Sequence, residues 1–264
     1  MDRDIGFEMI LKTATRLPKP IRKVLSRIWQ RRGLKTIIDT SLVRNLAEYF
    51  GLNYEETICM LKLGARLNAD LWKILNPGTK EEIEKFYMLS PYCIFDLAYW
   101  HMKIAQRRFR QKIVKLCRGD ILDYGAGIGD LCIELCRKGL NVEHADVSGR
   151  TFEFAKWLFK KRGCNIKMID LTKEKLSKDY DTILCLDVIE HVPNPKMLLQ
   201  ELSDHLKNNG NLIITGLRYQ DVSENHPMHF KIEFDVEIFL NSLGLFKWAE
   251  KKEWLWIKKL SAGV

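Results

Sequence analysis

Ile121-Leu122-Asp123-Tyr124-Gly125-Ala126-Gly127-Ile128-Gly129-Asp130 is the stretch that decides the architecture of this chain. An apolar run ends in an acid, three glycines follow at alternate positions, and amphipathic sequence comes after. That order predicts a strand, a loop stripped of side chains, and the start of a helix. Glycines adopt backbone angles that other residues resist and let a ligand lie against the main chain. The spacing G-x-G-x-G departs from the G-x-G-x-x-G of a dinucleotide loop, and no Lys-Ser/Thr pair follows to make a phosphate loop. The Asp123 carboxylate, two residues ahead of the first glycine, would repel a pyrophosphate but can hold an amino group. The expected ligand is therefore zwitterionic or cationic.

Working outward, the pattern repeats. Residues 141–147 read as a second strand ending in Asp146, 21 residues after Gly125, where a carboxylate can accept both hydroxyls of a ribose. Residues 165–171 read as a third strand ending in Asp170, placed to take a proton from an adenine amino group. A fourth strand begins at Asp181 and runs into the polar stretch Asp187-Val188-Ile189-Glu190-His191-Val192; a fifth spans 211–216. Helices are expected between them at 128–138, 149–162 (capped by Ser148) and 195–208, the last with Asn194 as cap and Pro195 at its first position. Alternating strands and helices imply a parallel sheet with right-handed crossovers. Residues 245–248 and 254–257 read as a closing hairpin around the charged turn 250–253.

The segment from about Ile113 to Lys259 resembles a class I S-adenosylmethionine-dependent methyltransferase. Within that superfamily, Leu186-Asp187-Val188-Ile189-Glu190-His191-Val192-Pro193-Asn194-Pro195 is similar to the branch of ubiquinone-type and natural-product O-methyltransferases. The resemblance implies an α/β fold: a Rossmann-like, seven-stranded, mostly parallel sheet with an antiparallel last strand and helices on both faces. It also implies the cofactor and its contacts. Asp123, Gly125, Ala126, Gly127 and Gly129 would surround the methionine part, Asp146 with Val147 the ribose, Asp170 with Leu171 the adenine, and Asp187 the sulfonium.

Composition narrows the class further. Of 264 residues 46% are hydrophobic and 29% charged, ordinary for a globular protein. No uncharged apolar run approaches the ~18 residues of a membrane span, and the first residues lack a secretory-signal pattern. The seven cysteines include no C-x-x-C and are odd in number, which favours reduced thiols over disulfides or zinc. A cytoplasmic protein is expected. Its net charge of +9 is uneven, because residues 1–35 carry ten Lys/Arg and three acids. Ile10, Leu11, Leu17, Ile21, Val24, Leu25, Ile28 and Trp29 give that arm an amphipathic pattern, split by Pro18 and Pro20. Such an arm can pack on the body of the protein with its charges in water, lie on an anionic membrane surface, or bind nucleic acid. Nucleic acid is the weakest of these, since apolar residues have no part in a purely phosphate-binding arm.

Residues 36–112 read as a helical cap, followed by a core at 113–264. Asn53 and Thr79 are expected helix caps, Pro77-Gly78 a turn, and Pro91 the start of one long helix leading to the first core strand. Six aromatics fall in fifteen residues: Phe86, Tyr87, Tyr92, Phe95, Tyr99 and Trp100. On a helix, Tyr92, Phe95 and Tyr99 share a face, read either as a seam against the core or as a lid over an acceptor. Tyr92, Tyr99 and His226 are therefore candidate substrate contacts.

Methyl transfer to oxygen needs the acceptor's proton removed, and a neutral imidazole suits that near pH 7. His191 and His229 are the expected bases, both placed at the sheet edge where the cofactor lies. Enzymes of the resembled branch also use an acid-x-x-Glu-His cluster to hold a divalent metal. Asp187, Glu190 and His191, with His226 or His229, could supply such ligands, but a site without metal is the preferred reading. The expected acceptor is a small or lipophilic molecule methylated on oxygen. RNA methylation through the basic arm and non-catalytic cofactor binding are the alternatives.

Overall fold

The computed structural model describes residues 40–217, 224, 226–248 and 254–258, so the basic arm of residues 1–35 lies outside the described residues. Five helices come first: α1 (Thr40–Phe50), α2 (Tyr54–Leu75), α3 (Lys80–Leu89), α4 (Tyr92–Met102) and α5 (Ile104–Val114). Asn53 opens α2 and Thr79 opens α3, each in a full capping box with the Glu three residues on. The single long helix expected from Pro91 is two, because Lys103 is extended (φ −62°, ψ 135°) and turns the chain. As a result α4 packs on α2 while α5 lies against the first core helix.

The core alternates as the sequence implies: β1 (Asp120–Tyr124), α6 (Asp130–Arg137), β2 (Asn141–Asp146), α7 (Arg150–Arg162), β3 (Lys167–Asp170), β4 (Tyr180–Cys185), α8 (Pro195–Asp204), β5 (Leu206–Ile214), α9 (Val236–Ser242), β6 (Leu245–Lys247) and β7 (Leu255–Lys258). A short 3-10 turn covers Ile189–His191. The strands form one seven-stranded sheet in the order β3-β2-β1-β4-β5-β7-β6. The pairs from β3 to β5 are parallel, and β7 runs antiparallel to both its neighbours. Reversal of order on either side of β1 and β4 opens a crevice at their C-terminal ends, where ligands of such sheets bind.

Two boundaries differ from the sequence reading for tertiary reasons. α8 stops at Asp204 rather than at 208, because Leu206 is taken into the sheet opposite Tyr180. Ser148 does not cap α7: Gly149 holds that position at φ 128°, and an added Cβ there would lie 2.2 Å from the Met88 carbonyl oxygen. The end of α3 thus rests directly on the start of α7. Alternation along β1 sends Ile121 to one face and Leu122 to the other. Ile121 joins a cluster that also contains Leu46, Phe95, Ile113 and Phe154, so the helical cap and the sheet share one core. Leu122 joins the opposite cluster with Ile183, Leu199 and Leu212. Among the described residues, no helix is long and apolar enough to cross a membrane.

Candidate active site

A cavity of about 1020 Å³ opens at the C-terminal edge of the sheet and is roofed by α3, α4 and α5. Its floor is the glycine loop. Gly125 and Gly127 have φ of 67° and 56°, which lets the loop fold back so that the Gly125 and Ala126 amides donate to the Ala145 carbonyl. Gly129 lies off the cavity wall. Its would-be Cβ meets the Phe159 ring at 2.5 Å, so this glycine lets α6 pack against α7.

Asp123 is buried in the wall, where its carboxylate accepts from the Cys132 thiol at 3.2 Å. Burial pushes its carboxyl up to about 7, against the pull of Cys132 and the Arg110 guanidinium. Asp146 accepts from the Gly127 amide at 2.6 Å and the Val147 amide at 2.7 Å. Burial raises its carboxyl as well, although His144 and the two amides oppose this. His144 steadies the same loop by donating its Nε2 hydrogen to the Gly127 carbonyl at 3.0 Å. Val147 and Leu171 complete this side of the cavity.

Asp170 is the strand-end acid that does not reach the cavity. Its carboxylate accepts from the amides of Ser148 and Thr172 and from the Thr172 hydroxyl, and it pairs with Lys173 at 2.7 Å. Despite some burial, those partners hold its carboxyl down at about 2. It shapes its own loop, leaving Leu171 to line the cavity.

Three polar bridges join cap and core around the cavity, and Glu48 on α1 also pairs with Lys161 on α7. Trp100 on α4 donates its indole hydrogen to Asp187 at 3.2 Å, and Asp187 also accepts from Thr215 at 2.7 Å. Asp187 sits at φ 54°, unusual for a residue other than glycine and a form of strain that concentrates at functional sites. Tyr87 on α3 places its hydroxyl 2.9 Å from His191 Nδ1. Arg110 on α5 grips Asp130 with both guanidinium nitrogens, and His101 Nδ1 lies 3.0 Å from the same carboxylate. Against that pull, burial alone would raise Asp130; the Arg110 and His101 contacts win and hold its carboxyl well below the usual range.

The histidines gather as expected. His191, His226 and His229 all line the cavity, with ring centroids 4.7 Å apart for His191–His229 and 5.1 Å for the stacked His226–His229 pair. Burial first, then the neighbouring histidines, lower His191 to about 3, although a hydrogen bond with the Met228 carbonyl works the other way. Burial and His226 lower His229 to about 4. Glu190 lies beside them with its Oε2 buried and without a hydrogen-bond partner among the described residues, and burial lifts its carboxyl to about 8. Glu190, His191 and His229 each offer a ligand atom within 4.8 Å of the others. Asp187, the first acid of the acid-x-x-Glu-His pattern, is committed to Trp100 and Thr215.

Tyr92 and Tyr99 stand outside the cavity wall. The face of α4 turned inward carries Cys93, Asp96, Leu97 and Trp100. That spacing of three or four residues is a helical stripe, and its signal in the sequence is Asp96, the lone charge in Cys93–Trp100. Tyr87 and Arg110 have no comparable local signal, because their partners lie 104 and 20 residues away.

Comparison with known proteins gives the family. A family model described as a methyltransferase domain matches residues 99–256, and the chain belongs to that family. Ubiquinone biosynthesis O-methyltransferase of Rickettsia prowazekii is 38% identical over 149 residues, which are 52% of this chain and 59% of that protein. The protein of the same description from Pelagibacter ubique is 31% identical over 160 residues, 54% of this chain and 67% of its own length. With another such relative, from Rickettsia typhi, the match covers only 40% of the relative's length. Among solved structures, magnesium protoporphyrin IX methyltransferase from Synechocystis, with bound S-adenosylmethionine, is 20% identical with a TM-score of 0.45, covering 72% of this chain and 85% of that one.

Proposed function

We propose that this protein is an S-adenosylmethionine-dependent methyltransferase that methylates an oxygen of a small or lipophilic acceptor. One observation carries the reading. A buried and a half-buried strand-end carboxylate, Asp123 and Asp146, line the cavity beside a glycine loop, and the same cavity continues to the paired imidazoles of His191 and His229. The donor set fits the cofactor. Burial opposes the charge on both acids, and a ligand carrying an amino group and a ribose diol would satisfy both. An ionised carboxylate offers about four acceptor sites, so Asp146 can keep its two amide bonds and take the ribose hydroxyls. Val147 and Leu171 would flank the adenine, and Asp187 would border the sulfonium.

Bound, the cofactor supplies a methyl group already activated by positive sulfur. The protein's task is therefore to align, exclude water and remove one proton. Tyr87, Trp100 and Leu97 close the roof over the reaction space. His191 is held between the Tyr87 hydroxyl and the Met228 carbonyl and acts as a fixed wall. His229 takes the proton from the acceptor hydroxyl at a ring nitrogen. A carboxylate and two imidazoles also suit a divalent transition ion; Glu190, His191 and His229 would hold it, and it would supply polarisation of the acceptor oxygen. Titrating the protein with Mn²⁺ or Zn²⁺ in a calorimeter decides that second reading without any assay of turnover.

The basic arm of residues 1–35 supports association with an anionic membrane surface, which suits delivery of a lipophilic acceptor. The central test is calorimetric titration with S-adenosylmethionine and S-adenosylhomocysteine. Micromolar binding of both is expected, and absence of heat with either removes the proposal.

A further inference from the structure

A second, smaller cavity of about 340 Å³ lies in the groove between α5 and α6. Arg107 and Arg110 reach it from α5, and Asp130, Glu134, Arg137 and Lys138 from α6. Spacings of three and four residues put each set on one face of its helix. Leu42, Met102 and Ile133 give the cavity an apolar side. His101 and Arg110 line both cavities, so the Arg110–Asp130–His101 bridge forms part of the wall between them.

The bridge leaves other charges in this pocket without partners. The side chains of Arg107, Arg137 and Lys138 make no hydrogen bond and no ion pair among the described residues, and neither does that of Glu134. Two of the cations have an ordinary explanation. Arg137 and Lys138 close α6, and positive charge is favoured at the negative end of a helix dipole. Arg107 has no such reason to be there. It is half-buried in the first turn of α5, a turn with no acid and no side-chain cap. The positive end of the helix dipole lies at that turn, so a guanidinium is unfavourable there until an anion comes beside it.

Charge and shape together define the anion. Three unpaired cations against one unpaired acid leave an excess of two positive charges in the pocket. A carboxylate would neutralise half of that excess. A phosphate monoester carries about −1.5 to −2 at pH 7 and presents three acceptor oxygens, which guanidinium groups match with paired N–H donors. The volume is at the lower end for small-molecule sites, and the apolar side receives the organic part of an ester.

We infer that this pocket binds a phosphate monoester with a small apolar body, held by Arg107, Arg137 and Lys138. It is a site separate from the methyl-transfer cavity, and the inference does not depend on what that cavity does.

The probe is phenyl phosphate, titrated calorimetrically into the full-length protein at physiological salt, with benzoate as the singly charged comparison. Sub-millimolar binding of phenyl phosphate is expected, at least about tenfold tighter than that of benzoate. Arg107→Gln and Lys138→Gln should each weaken it by about five- to tenfold. Glu134→Gln should strengthen it, a gain that a misfolded variant does not produce. Binding should be unchanged with S-adenosylhomocysteine present and with residues 1–35 deleted. Dihexanoyl phosphatidate binding more tightly than phenyl phosphate would identify a lipid headgroup as the source of the phosphate, and weaker binding a soluble ester. No binding at millimolar probe overturns the inference, as does unchanged affinity in both cation variants or benzoate binding equally well. Full competition by S-adenosylhomocysteine also overturns it, by seating the probe in the larger cavity. Loss of binding on deleting residues 1–35 does the same, by seating it on the arm.

Discussion

Burial pushes the carboxyl of Asp123 to about 7, against about 3.9 in an unfolded chain, and this difference has a definite sign. A raised folded-state value contributes stability that is complete below about pH 4 and is lost as pH climbs to 7. Asp123→Asn should therefore flatten the stability profile between pH 4 and 7 and melt higher than wild type at pH 8, by about 1–3 kcal/mol in urea titrations. The same substitution should weaken S-adenosylhomocysteine binding by about tenfold or more, and wild-type affinity should rise with pH up to about 7 before levelling. His229→Ala should lower kcat by about 10²–10⁴ while leaving S-adenosylhomocysteine binding intact; His191→Ala should lower the melting temperature, since it strips Tyr87 and Met228 of their partner. Residues of the glycine loop were readable from sequence because their meaning is local: spacing, sign of charge and a strand before them. Asp170 looks identical in sequence to Asp146, and only the fold reveals that its own loop consumes it. The roles of Tyr87 and Arg110 depend on partners brought from another part of the chain, which no local pattern encodes.

Helices of the cap are positioned by close backbone contact as much as by apolar side chains. Gly64 is the clearest case. On an exposed helix, Gly→Ala stabilises by about 1 kcal/mol, but here the added methyl would meet the Asp96 amide at 2.7 Å and Phe95 at 3.0 Å. Gly64→Ala should destabilise the protein by about 1–3 kcal/mol, seen in thermal melts, and should lower affinity for the acceptor more than for the cofactor. The strands are legible from periodicity and turn residues, and the parallel pairing of the first five from their alternation with helices; their order in the sheet is not. The break at Lys103 and the early end of α8 were not legible, because each is set by what the neighbouring element requires. For α4, the helical period gave the two faces but not which one turns inward. Phe95 went to the core, fully buried, and the opposite stripe, with its single acid, became the wall of the cavity.

Charge is segregated over the molecule as a whole. Residues 1–35 hold ten of the 43 basic side chains and only three of the 34 acids, so the remainder is close to neutral. Deleting residues 1–35 should abolish sedimentation with vesicles containing anionic lipid and leave S-adenosylhomocysteine binding unchanged; retained sedimentation would assign membrane contact elsewhere. The sheet carries a consequence of another kind. β7 sits between β5 and β6, although it is synthesised after both of them. A nascent chain that has emerged as far as β6 therefore still has the slot beside β5 vacant, with a row of unpaired amides and carbonyls along Asn211–Ile213. Open strand edges of that kind template pairing between molecules. Until Leu255–Ile257 pair with Asn211–Ile213 that edge stays open to pairing between molecules, so a chain truncated before Leu255 should aggregate rather than fold, seen as a loss of monomer in size-exclusion chromatography.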